Sequence, residues 1–243
     1  MNLQCNGSIK QSSKFKRYIS SCAVAASVWP GVVCAHHGLD FISVQTAHLP
    51  VQGASYVIGR IDYISEEEDE MEFEPALLYG ATDWLTFELH AHFEKERGES
   101  ANYESLAPAL NFRLTPRDQQ LSFGVSVEYE FAHDSSEDNV LGLAAMLGYE
   151  FSEWMATVNV LFEDPSGSSG DWGYAAGLRH KFNGDHAFGL EMNGSLEGGS
   201  SSQALIGYYG ELSKRFSLNA GIGVGIDGGP DWSIRTAFIW QFK

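Results

Sequence analysis

Apolar and polar residues alternate with a period of two along most of the chain beyond residue 53. In "WLTFELHAHFE", Leu85, Phe87, Leu89, Ala91 and Phe93 share one face, while Thr86, Glu88, His90, His92 and Glu94 share the other. In "LSFGVSVEYEF", Leu121, Phe123, Val125, Val127, Tyr129 and Phe131 oppose Ser122, Gly124, Ser126, Glu128 and Glu130. The segments "WMATVNVLFE", "FGLEMNGSLE" and "FSLNAGIGVGID" repeat the pattern. Successive side chains of a strand point to opposite faces, so this period predicts strands rather than helices.

The connections alternate as well. "ATD", "TPRDQ", "SE", "NGD" and "SKR" are short, and between them come longer polar stretches such as "SEEEDE", "KERGESAN", "AHDSSEDN" and "DPSGSSGD". Tight turns at one rim and longer loops at the other are the layout of an up-and-down membrane barrel. Twelve strands fit between about Ala54 and Phe242, and an even number returns the last strand to the rim where the first begins. The expected fold is all-β, a closed antiparallel up-and-down transmembrane β-barrel of about twelve strands.

The aromatic residues decide which face looks outward. A soluble sandwich or a lipocalin-like barrel would turn its apolar face inward. Here the apolar face carries aromatics near strand ends, among them Trp84, Trp154, Trp172, Trp232 and Trp240, while the opposite face is small or charged. That distribution predicts aromatic girdles against lipid and a wet interior. No run of about 18 apolar residues follows residue 35, so no membrane-spanning helix is expected. A closed barrel is the remaining way to satisfy every backbone polar group in a bilayer.

The first 35 residues read differently. They contain Lys10, Lys14, Lys16 and Arg17 and no acid, followed by "YISSCAVAASVWPGVVCA". This order of basic, apolar and small residues predicts a secretory signal peptide over residues 1–35, cut after Ala35. Lipid attachment at Cys34 would need a small residue before it, and Val33 is not small. Residues 36–53 would then be an N-terminal segment in the periplasm or in the lumen, and residues 54–243 the barrel. Cys5, Cys22 and Cys34 all fall in the part removed, so neither a disulfide framework nor a thiol nucleophile is expected. The full chain has 32 acidic and 15 basic residues, a net charge of −17, which cleavage makes more negative and which excludes nucleic acid as a partner.

The chain ends "RTAFIWQFK", with Phe238, Trp240 and Phe242 on one face. With this stripe and the period before it, residues 54–243 resemble the bacterial outer-membrane β-barrel proteins, porin-like in layout. The resemblance implies a place in the outer membrane of a Gram-negative bacterium, among outer-membrane lipid and lipopolysaccharide. It also implies handling by the barrel-assembly machinery, which reads such terminal aromatics. The function it implies is a small passive channel or solute transporter for small solutes, with no cofactor and no chemical step. Lumen carboxylates would set selectivity and the loops would set access.

Within that frame the inward acids outnumber the inward bases. Glu72, Glu74, Glu88, Glu94, Glu128 and Glu130 would form an acidic wall, with Arg179, Lys181 and Arg235 further round. A passage of this sign should favour cations. The alternative is an interior packed shut by its own ion pairs, which gives a structural surface barrel.

Two further constellations carry possible chemistry. His90 and His92 point the same way along one strand, and imidazole with carboxylate suits zinc or copper, although a third ligand must come from a neighbouring strand. His36 and His37 would add ligands at the new N-terminus. In "FAHDSSED", His133 and Ser135 continue the outward face, as in barrel-embedded phospholipases and lipid A deacylases, with Asp138 or Asn139 as a third member. The blander reading of each is a polar lumen residue or a solvated loop.

Overall fold

The structure is a computed structural model that describes residues 39–66, 69–98, 100–166, 169–197 and 201–242. The expected signal peptide, residues 1–35, and His36 and His37 lie outside the described residues. Twelve strands follow one another: β1 (Ser55–Ser65), β2 (Glu70–Gly80), β3 (Leu85–Glu96), β4 (Asn102–Arg113), β5 (Leu121–Ala132) and β6 (Val140–Phe151), then β7 (Trp154–Pro165), β8 (Asp171–Asn183), β9 (His186–Ser195), β10 (Ser202–Ser213), β11 (Phe216–Asp227) and β12 (Trp232–Gln241). Each strand pairs with its sequence neighbours, and β1 pairs antiparallel with β12 from Tyr56↔Gln241 to Ser65↔Trp232, which closes the barrel.

The two faces sort as the alternation predicts. On β3, Thr86, Glu88 and His90 are buried while Phe87 and Leu89 are exposed. Across the exterior, Leu190, Ile206 and Ile222 are 58%, 66% and 63% exposed. An apolar band of this extent is costly in water, at about 25 cal/mol for each Å² left wet, and is at rest against lipid. Rings gather at both ends of the band. At the end nearer the β2–β3 turn, Trp84 stacks with Phe112, Trp154 with Phe151 and His180, and Trp240 with Phe242. At the other end Tyr63 meets Trp232, Phe93 meets Phe73 and Tyr103, and Phe162 meets Trp172.

The loops are shorter than the polar stretches suggested, because the strands run on into them. β4 already begins at Asn102 and β8 at Asp171. Two prolines interrupt the ladders. Between Phe73↔Phe93 and Ala76↔His90 the β2–β3 pairing lapses at Pro75, and between Leu106↔Phe131 and Ala109↔Glu128 the β4–β5 pairing lapses at Pro108. Proline has no N–H to give to the ladder.

The lumen is filled in its turn-side half by residues 39–50. Phe41, Ile42, Ser43, Val44, Gln45, Thr46 and Ala47 are all buried. Phe41, Ile42 and Val44 join a core with Ala144, Met155, Leu161, Ala175, Ala187, Leu205 and Tyr209, and Leu39 packs on a second cluster with Ile58, Ala76, Leu78 and Ile239.

Candidate functional site

The site is the lumen and the segment lodged in it. Residues 50–54 lie at the turn-side rim, where Gly53 in the left-handed region (φ 80°) donates to the Gly80 carbonyl at 2.7 Å. From there the segment climbs the lumen to Ser43, doubles back, and brings Asp40 beside Arg179 of β8.

Several backbone carbonyls along this path are met by side chains of the barrel and its turns. Arg117 donates to the carbonyls of Leu49 (2.9 Å) and Pro50 (2.7 Å), and Arg113 donates to that of Ala47 (3.1 Å). Thr157 donates to the Gln45 carbonyl at 3.3 Å. At the top of the path the Glu191 carboxylate accepts from the backbone N–H groups of Ile42 (2.8 Å) and Ser43 (2.6 Å) and from the Tyr209 hydroxyl (2.5 Å). A buried carboxylate is tolerated when its lone pairs are satisfied in this way.

Asp40 is the hub of the return. Its carboxylate takes Arg179 at 2.9 Å, Thr46 at 2.9 Å and the His48 ring Nδ1 at 2.9 Å, while its carbonyl takes Arg179 at 2.8 Å. The other ring nitrogen of His48 lies 2.9 Å from Glu150 of β6. Burial alone would push the Asp40 carboxyl up, but the Arg179 charge and the His48 and Thr46 hydrogen bonds outweigh it and hold the group below the usual carboxylate range. Burial likewise works against the His48 charge, yet Asp40 and Glu150 raise its pKa above the ordinary histidine value. The Arg179 guanidinium also lies over the rings of Phe41 (5.6 Å) and Tyr209 (5.7 Å). A polar cavity of about 110 Å³ stands beside this hub, lined by Leu39, Lys181, Asp185 and Asn219 among others.

Glycine makes the room. A Cβ on Gly221 would stand 2.9 Å from Ile42, and one on Gly124 would stand 3.0 Å from Ala47, on opposite sides of the lumen. Bare backbone at these inward positions lets the plug lie against the wall.

The expected selectivity residues divide along the barrel. Glu74 and Glu128 are buried, and Glu72, Glu94 and Glu130 are half-buried, all in the loop-side half above the plug. Glu88 is buried lower down and accepts from Asn111 at 2.8 Å. Arg235 does not stand apart from the acidic wall. It lies 3.4 Å from Asp62, whose carboxylate also meets Arg60 at 3.1 Å, and Arg60 reaches Glu74 at 2.5 Å. Arg179 is across the lumen but is taken up by Asp40, and Lys181 is exposed near the turn-side rim.

The two histidines expected as a pair part company. His90 faces Glu128 (3.6 Å) and Glu88 (4.0 Å), whereas His92 converges with Glu72 and Glu74. In the loop after β5, His133 packs on the Tyr103 ring at 5.0 Å, and the Asn139 side chain accepts from the Ala132 N–H. Among the described residues no hydrogen bond joins Ser135 to His133, and it is Asp134 that accepts from Ser136. The alternation along the chain assigns no role to Asp40, His48, Arg113, Arg117, Glu191 or Tyr209. The inward glycines and alanines of β6, β8, β10 and β11 were the available signal, since a wall stripped of side chains leaves space for something else.

The barrel has the fold of outer-membrane porins and channels. An outer-membrane channel of Pseudomonas putida F1 superposes with a TM-score of 0.65 at 12% identity, covering 81% of this chain and 97% of that one. The KdgM porin gives 0.61 at 8% identity, over 77% of this chain and 99% of its own, and the NanC porin 0.56 at 11%, over 77% and 99%. At these identities the likeness is one of fold. No protein-family model and no curated protein sequence matches the chain.

Proposed function

We propose that the protein is a passive outer-membrane channel of a Gram-negative bacterium, passing small polar solutes, with residues 39–50 as a plug that sets access. The observation that carries this is the lodging of the segment: it is held by side chains of β4, β6, β7, β8, β9, β10 and β12, and among the described residues its chain passes into the barrel wall through residues 51–54. A plug tethered at the rim can leave the lumen without leaving the protein. The likeness in fold to porins and to an outer-membrane channel supports the same reading. The acids of the loop-side half favour cations over anions at that mouth. In this reading the plug sets access at the turn-side half of the lumen, and the loops set it at the other mouth.

Planar-bilayer recording of the full mature chain against a variant lacking residues 39–49 tests the proposal. The parent should conduct weakly and the deletion should conduct in discrete steps several times larger. Two barrels that are both silent, though folded, would favour a structural surface barrel, a reading that the filled lumen also supports.

A further inference from the structure

We infer that Glu72, Glu74 and His92 form a binding site for one divalent transition-metal cation, zinc above all, in the loop-side half of the lumen. The site lies across two strands. β2 and β3 pair with Glu72 opposite Glu94 and Ala76 opposite His90, so the same register sets Glu74 opposite His92. A carboxylate oxygen from each glutamate and a ring nitrogen of His92 all lie within 4.8 Å of one another. The Nε2 atom of His92 is buried and has no hydrogen-bond partner. An imidazole nitrogen left so, next to two carboxylates, offers the mixed nitrogen and oxygen donors that suit zinc.

Two independent features of the fold point to the same place. The first is charge. Glu72 faces Glu94 on one side and Asp62 on the other, and Glu70 faces Glu96. Like charges directly opposite one another destabilise a sheet. Arg60 and Arg235 bear on Asp62 and Glu74, and the acids around them remain in excess. A dication between Glu72 and Glu74 offsets the repulsion around Glu72. The second is the backbone. Pro75 breaks the ladder beside the Glu74–His92 pair, so the two strands are not held there by hydrogen bonds and their side chains can close on an ion.

The donor set selects the metal. Calcium and magnesium take oxygen ligands, and in greater number than two carboxylates supply, whereas one imidazole and two carboxylates suit zinc with water in the fourth position. Tetrahedral bonds of about 2.1 Å put ligand atoms about 3.4 Å apart, so the cluster closes by at most about 1.4 Å on binding, within reach of glutamate side-chain rotation. His90, two residues away on the same face, is committed to Glu88 and Glu128 instead.

The test is zinc titration of the folded full-length mature barrel in detergent, by calorimetry, with cobalt as a visible-absorbing substitute. No current is measured, so the result is separate from the channel reading. One zinc per barrel is expected, with the visible bands of tetrahedral cobalt. Removing a ligand should cost at least the roughly 10–100-fold that loss of an outer-shell partner costs. His92→Ala and Glu72→Gln should each show that loss, and His90→Ala and the double change His36→Ala, His37→Ala should not. Heat-modifiable migration in gels checks that each variant is folded. A folded parent that binds no zinc overturns the proposal whatever the variants do. So does binding that survives His92→Ala, or binding that disappears with His36 and His37.

Discussion

The ring of Phe41 occupies the space in which residue 177 would carry a side chain: a Cβ on Gly177 would stand 2.7 Å from the ring's Cε1. Phe41 is fully buried, and its edge meets the Tyr209 ring at 5.7 Å. The plug and the glycine are therefore matched in shape.

Gly177→Val should unseat the plug while leaving the strands paired, since valine suits a strand and only the lumen is overfilled. Overpacking of a fitted site costs about 1–3 kcal/mol. Bilayer conductance of the variant should move toward that of the chain lacking residues 39–49. Parent-like conductance from a folded Gly177→Val barrel would mean that Phe41 does not seal it.

Docking of the plug should depend on pH through Asp40 and His48. The Asp40 pKa is lowered, so its contribution is present above the ordinary carboxylate value and is lost as pH falls through the lowered one. The His48 pKa is raised, so its contribution is full below the ordinary histidine value of about 6.5 and is lost as pH rises through the raised one. Asp40, Glu150 and Arg113 are the charges that act on the ring. Conductance should therefore rise as the pH is taken from about 6 to about 9, across the histidine range. His48→Gln should conduct more at the lower pH and lose the rise.

Ion selectivity is best read with the plug removed. A barrel lacking residues 39–49 should pass potassium in preference to chloride, and the preference should fade toward 1 M salt, where screening shortens to about 3 Å. Replacing Glu88, Glu128 and Glu130 with Gln should reduce the preference without unfolding the barrel, because lumen changes leave the lipid face alone. Reversal potentials that favour chloride in the parent deletion would show that the acidic wall does not govern passage.

Trp240 and Phe242 stack at 5.8 Å on the outside of the closing strand, and the Phe242 N–H donates to the Ser55 carbonyl at 2.9 Å. Changing both to Ala should lower the amount of heat-modifiable barrel in the membrane fraction more than it lowers synthesis. Equal membrane levels of parent and double variant would remove the terminal stripe from the assembly step.

Much of this was legible along the chain. Leu85 to Glu94 alternate, and that alone determines a strand with Phe87 and Glu88 on opposite faces, because side-chain direction in a strand is fixed by one residue's position relative to the next; the aromatics at the strand ends then put Phe87 outside. The same local rule, repeated, determines the twelve strands, and the even number and tight turns determine that β1 can meet β12. What no local rule contains is the pairing of distant residues. Asp40 and Arg179 are 139 residues apart, and nothing in "GLDFISVQTAHLP" marks it as the filling of a barrel rather than a tail. Likewise His90 and His92 share a face by period, but which of them meets Glu74 depends on the register between β2 and β3, and a shift of the pairing would hand the glutamate to another neighbour. The sequence by itself determined the wall of the barrel, since strand geometry is local. Tertiary structure alone decided what the wall encloses, since only closure brings the inward glycines, Glu191 and Arg179 around one small space.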